Sequence, residues 1–105
     1  MEKVTLSVLP GICGFRFKII ATRKSRRAAG IKIVDSECSM LNEFGARLSE
    51  VTLFDIFKPH TKNPVYEISE QVHCHLCCPV SIAIIKASEV VLDLALPQDV
   101  SIHFE

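Results

Sequence analysis

The 105 residues fit a single domain (1–105), and with 49% of them apolar the chain can build a packed core without a metal or disulfide as a staple. Twelve Lys and Arg balance twelve Asp and Glu, which argues against a basic nucleic-acid-binding domain. The most apolar stretch, Val80 to Leu96, is interrupted by Lys86, Glu89 and Asp93. A membrane span needs about 18 or more apolar residues with few or no charges, so this stretch reads as a buried helix.

Val4, Leu6 and Val8 alternate with Thr5 and Ser7, the period of a half-buried strand and not the apolar core of a signal peptide. Pro10-Gly11 and Gly14 mark a turn. Phe15, Phe17, Ile19 and Ala21 alternate with Arg16, Lys18 and Thr22, a second strand. Arg23 to Arg27 is expected as a solvated loop at a hairpin tip. Gly30 precedes a third strand over Ile31–Val34, and an antiparallel meander joins the three most simply.

Met40, Leu41, Phe44 and Leu48 then take helical spacing behind Ser39 as N-cap, with Glu43 near the capping-box position. Gly45 weakens this helix by about 1 kcal/mol relative to Ala. Val51 to Phe57 suits a helical turn or a strand equally. After a loop over Pro59–Pro64, Asn63-Pro64 pairs an N-cap with proline at the first helical position, and Val65, Ile68 and Val72 supply the apolar stripe of a short helix. A long helix is expected from Pro79 to about Leu96, ended by Pro97. Val100, Ile102 and Phe104 alternate with Ser101 and His103, the pattern of a closing strand. The expected fold is α+β: a three-stranded antiparallel meander, two or three helices and a closing C-terminal strand, with the helices on one face of the sheet.

Five cysteines and no visible targeting segment imply a cytoplasmic setting with reduced thiols. In that setting metal or redox chemistry precedes structural disulfides. Cys74-His75-Leu76-Cys77 is a C-x₂-C pair, a spacing that turns two thiolates toward one ion. Cys13 is flanked by glycines in Gly11-Ile12-Cys13-Gly14, where the backbone can fold tightly around a sulfur. Cys38 sits between the third strand and the first helix. All of them lie at element ends, where site residues are usually mounted, and the meander brings the Cys13 turn and the Cys38 loop to the same end. The expected metal ligands are therefore Cys13, Cys38, Cys74, Cys77 and Cys78, with Cys77 or Cys78 spare in a four-ligand site. His73 and His75 are further possible donors. Thiolates suit zinc and iron–sulfur centres alike, and Cys74-x₃-Cys78-Pro79 has the x₃-C-P ending of one ferredoxin run.

An alternative is sulfur transfer or thiol-redox chemistry through Cys78. Pro79 at the first helical position puts Cys78 at the N-cap, where free N–H groups favour a thiolate. Cys78-Pro79-Val80, with Lys86-Ala87 following, resembles the Cys-Pro helix start of the TusA-type sulfur-carrier family, with Ser81 in place of that motif's second proline. The resemblance implies a carrier role for Cys78. More broadly, Pro10-Gly11-Ile12-Cys13-Gly14 together with the Cys74–Pro79 knot resembles the small uncharacterised cysteine-motif proteins, a domain-of-unknown-function family. That resemblance implies a bound metal or cluster and no known activity.

Charge is unevenly spread: residues 1–34 carry eight Lys/Arg against Glu2 alone, and residues 35–105 carry four against eleven acidic residues. A protein partner meeting one charged face is expected, and no membrane. The Arg23–Arg27 run has no aromatic support, so nucleic acid is not expected. His60 and His103 are isolated. There is no glycine-rich phosphate loop, no Ser-His-Asp set and no paired acid and base, which speaks against a conventional hydrolase or nucleotide-dependent enzyme.

Overall fold

A computed structural model describes all of residues 1–105. Four antiparallel strands, β1 (Lys3–Val8), β2 (Phe17–Ser25), β3 (Ala28–Val34) and β4 (Glu50–Thr52), form one sheet in the order β1-β2-β3-β4. Four α-helices accompany it: α1 (Ser39–Arg47), α2 (Leu53–Ile56), α3 (Pro64–Gln71) and α4 (Val80–Val91), with a 3₁₀ turn at His60–Lys62. No helix is long and apolar enough to cross a membrane.

The period-2 pattern of the strands does what it promises. Val4 pairs with Ala21, Leu6 with Ile19 and Val8 with Phe17, so the apolar side chains of both strands share a face. Phe17, Ile19 and Ala21 of β2 are buried there beside Ile31 of β3, Leu41 and Phe44 of α1, Val65 of α3 and Ile84 and Val91 of α4. Helix α4 packs on β1, β2 and β3. Its inner stripe is apolar except for two buried serines, of which Ser88 donates to the Ile84 carbonyl at 2.7 Å.

Several expectations are corrected. The basic run is not a loop: Arg23 and Lys24 lie in β2, and only Arg26 and Arg27 turn between Ser25 and Ala28. One extra residue near Lys24 shifts the register there, a bulge that adapts a tight turn to the strand twist. The ambiguous Val51–Phe57 stretch is both things in succession, a three-residue strand and then a helical turn. Thr52 is the hinge: its hydroxyl accepts from the Asp55 N–H at 3.2 Å, and the Asp55 carboxylate accepts from the Thr52 N–H at 2.9 Å, a reciprocal capping box. Burial works to raise the Asp55 carboxyl. The Thr52 N–H, Lys58 and the Thr52 hydroxyl together outweigh it and hold the group below its usual value.

The fourth strand is thus β4 and not the C-terminus. Val100–Phe104 forms no strand, and its apolar side chains are exposed. Alternation specifies a strand only where a neighbour supplies hydrogen bonds, and here none does. Ser39 is the first helical residue of α1, with Cys38 at the N-cap and no side-chain cap bond. Helix α4 stops at Val91, well before Pro97. Asp93 adopts a left-handed φ of 61°, Leu94 N–H reaches the Glu89 carbonyl at 2.8 Å and Asp93 N–H the Val90 carbonyl at 3.2 Å. These paired bonds satisfy the last carbonyls and end the helix. The Asp93 carboxylate accepts from Arg23 at 2.6 Å, which holds its carboxyl below the usual range.

Asn63 is the most heavily used polar side chain. It is 2% exposed, caps α3 by accepting from Val65 N–H at 3.0 Å, and donates to the Asp55 carbonyl at 2.7 Å and the Lys58 carbonyl at 3.4 Å. Asn63→Ala is expected to cost about 1–3 kcal/mol, since it removes a cap and leaves two part-buried carbonyls without their donor. Asn63→Asp keeps the cap but loses the donors. Urea denaturation should therefore place it between Asn63→Ala and the parent.

Candidate functional site

Three loops meet at one end of the sheet. The β1–β2 connection carries Cys13, the β3–α1 connection carries Cys38, and the α3–α4 connection carries Cys74, Cys77 and Cys78. The pairings Val8 with Phe17 and Lys18 with Val34 bring the first two loops to the same end, as the meander predicts. Helix α4 starts there and runs back across β1 and β2, so the third loop joins them.

Each loop has a local cause. Gly11 and Gly14 take φ of 99° and 73°, and Gly14 N–H closes a turn on the Gly11 carbonyl at 3.0 Å. These are conformations that a side chain resists, and Cys13 rides exposed between them. Before α1, the Ser36 hydroxyl accepts from Cys38 N–H at 3.1 Å, an ordering bond of the kind serine makes at turns. Helix α3 ends as α4 does. His73 takes a left-handed φ of 62°, Cys74 N–H reaches the Ser69 carbonyl at 3.0 Å and His73 N–H the Glu70 carbonyl at 3.1 Å. His73 is thus placed by helix termination, and both it and His75 are exposed. The cap turns the chain so that Cys74 packs against the core together with Cys38 and Cys78.

The electrostatics tie the loops together. Burial is the largest influence on Cys78 and pushes its thiol up. The Val80 N–H, bonded to its sulfur, pulls it down, and the nearby Cys13, Cys38 and Cys77 push it up again. Cys74 is likewise raised by burial first and by Cys78 next, pulled down by the Ser69 hydroxyl and raised by Cys38. Cys78 therefore stands in electrostatic reach of thiols from all three loops. The side chains are not drawn into a ready-made ligand set: no three His, Cys, Asp or Glu groups lie close enough to share one ion. Two surface depressions of about 300 Å³ lie elsewhere and contain no cysteine.

The N-cap of α4 is Pro79 and not Cys78, so Cys78 sits one residue outside the helix. Its thiol is raised and not lowered, because burial outweighs the single N–H bond. In metal-free protein, Cys74 and Cys78 should alkylate more slowly near neutral pH than the exposed Cys13 and Cys77. Mass-spectrometric rates at each thiol check this. The linkage sign follows: a folded thiol value above the unfolded one gives stability that is present below the ordinary thiol range. That stability is lost as pH rises through the raised values.

One buried side-chain polar atom in the molecule has no hydrogen-bond partner, the Ser81 hydroxyl. Ser81 is 3% exposed and lies in the first turn of α4, three residues after Cys78. Helical side chains tilt toward the N-terminus, here toward the cysteine loops. Sequence reasoning passed over it, because a serine in an apolar helix carries no signal of its own.

A family model described as a family of unknown function, DUF6951, matches residues 4–104. The chain belongs to that family. The match spans all three cysteine loops of the DUF6951 domain, in line with its resemblance to uncharacterised cysteine-motif proteins. The TusA-type resemblance of Cys78-Pro79 has no counterpart in the comparison. No curated protein and no solved structure matches the chain.

Proposed function

We propose that this DUF6951 domain binds a metal centre through cysteine thiolates, a zinc ion or an iron–sulfur cluster held by Cys13, Cys38, Cys74 and Cys78, with Cys77 as the spare thiol. The observation that carries the reading is the gathering of cysteines from three separate loops around Cys78. Burial first and neighbouring thiols next push the Cys74 and Cys78 thiols up, and a cation reverses that by taking them as thiolates. Cys77 is the exposed member of the α3–α4 loop, and it has the smallest effect of the thiols acting on Cys78. That supports its being the spare.

Two further features fit an anionic sulfur centre. The Val80 N–H already donates to the Cys78 sulfur. The Ser81 hydroxyl lacks an acceptor, and such outer-shell donors orient and tune metal ligands. A set made wholly of thiolates leaves no open position, which favours a structural or electron-transfer role over catalysis. A protein partner belongs to this reading. Arg26 and Arg27 stand exposed at the β2–β3 turn, with Arg27 over the Phe54 ring at 5.9 Å, and the acidic residues are gathered in the later part of the chain.

Sulfur transfer by Cys78 has the Val80 N–H in its favour, but a half-buried, raised thiol is a poor nucleophile at neutral pH. Metal and acid-labile sulfide analysis, with a visible spectrum, on protein purified without oxygen decides between them. Stoichiometric zinc, or iron with sulfide, sustains the metal reading. Metal-free protein in which Cys78 carries a persulfide overturns it.

A further inference from the structure

β1 is an edge strand, with β2 on one side and no strand on the other. Its apolar residues Val4, Leu6 and Val8 are only half-buried, whereas Phe17, Ile19 and Ala21 on β2 beside them are fully buried. The apolar face of the sheet therefore runs out at β1 with surface still to cover. The C-terminal tail has the matching pattern. Val100, Ile102 and Phe104 are 58%, 87% and 103% exposed, and the intervening Ser101 and His103 are polar. Three apolar residues separated by two polar ones face the same arrangement in Val4-Thr5-Leu6-Ser7-Val8. The tail also lies inside the stretch that the family shares.

We propose that residues 100–104 of one copy of this chain add to the β1 edge of a second copy as an antiparallel strand, and that the exchange is reciprocal. Chain direction selects the second copy over the tail's own β1. The tail departs beside the beginning of β1: the Met1 amino group lies 3.4 Å from Asp93, and Met1 lines a surface depression together with Leu94, Ala95, Leu96 and Pro97. Only Gln98 and Asp99 separate Pro97 from Val100, a span of at most about 11 Å. The far end of β1 is about 20 Å away along the strand. Within one protomer the tail could therefore run only parallel to β1. An antiparallel pairing, the more stable and commoner kind, needs β1 of another copy. Pairing would satisfy the outward N–H and C=O groups of β1 and cover the exposed apolar row of the tail in one step.

The proposal does not depend on metal. It is tested with the full chain under reducing conditions, so that no disulfide can link two copies. Ile102→Glu combined with Phe104→Glu leaves the protomer fold intact, because those two side chains are 87% and 103% exposed within it. Sedimentation analysis of the parent should show a monomer–dimer equilibrium, and the double variant should weaken it at least about a hundredfold. Hydrogen exchange should show the outward-pointing β1 amides, those not bonded to β2, losing protection on dilution of the parent and unprotected throughout in the variant. A parent that stays monomeric at high concentration overturns the proposal. So does a dimer that survives both substitutions, or concentration-independent protection of β1 and tail amides, which would put the tail on its own sheet.

Discussion

Cys78→Ser is expected to abolish metal binding in protein that still folds. Cys78 is the thiol that stands within reach of the other loops, so its loss removes the point at which they meet. The affinity loss should exceed the roughly 10–100-fold that follows removal of an outer-shell partner. Cys77→Ser is the matched control. It changes an exposed thiol in the same loop and should leave metal content unchanged, as read by elemental analysis of both variants prepared side by side. Loss of metal in both variants would mean that Cys77 is a ligand. Loss in neither would remove the centre from this loop. Far-ultraviolet circular dichroism separates loss of metal from loss of fold, since the core stands on its own apolar residues.

Phe44→Ala should be among the most damaging single substitutions in the chain. Phe44 is fully buried where α1 meets the sheet and α3, and its removal leaves a cavity that the surrounding elements only partly close. The expected cost is about 3–5 kcal/mol, a large share of the roughly 5–15 kcal/mol that holds a domain folded. Urea denaturation should show a much lower midpoint with an unchanged slope. Because Phe44 supplies no thiol, whatever folded protein remains should still take up metal on the proposed reading. That separates a core defect from a ligand defect.

The meander and the helices α1, α3 and α4 were legible because long periodic runs repeat the same evidence. Phe17, Ile19 and Ala21 say strand three times over, and Val65, Ile68 and Val72 say helix. β4 was not legible as a separate element. Three residues carry no period, and the deciding interaction was the Thr52–Asp55 capping box, which lies across the boundary. The closing strand failed for the opposite reason. Val100, Ile102 and Phe104 hold a clear period, but period speaks of a face and not of a neighbour.

At the candidate site, the sequence placed Cys13 and Cys38 at one end of the meander, since strand direction follows from turn count alone. What it could not show was Cys78 outside the α4 cap. Proline at the first helical position and proline at the cap differ by one residue, and burial reverses the expected thiol shift. Nor could it show Ser81, whose interest lies wholly in what it lacks in three dimensions.

The three cysteine loops differ in when they come into being. The β1–β2 and β2–β3 hairpins join residues close in sequence, and such contacts form early and fast. Cys13 and Cys38 are thus neighbours as soon as the meander exists. Cys74 and Cys78 arrive only when α4 closes over β1 and β2, bridging most of the length of the chain. On the proposed metal reading, an ion added to refolding protein would have no complete site to enter before that last closure. The rate at which metal colour or fluorescence develops then serves as a clock for the docking of one helix, and not for folding as a whole.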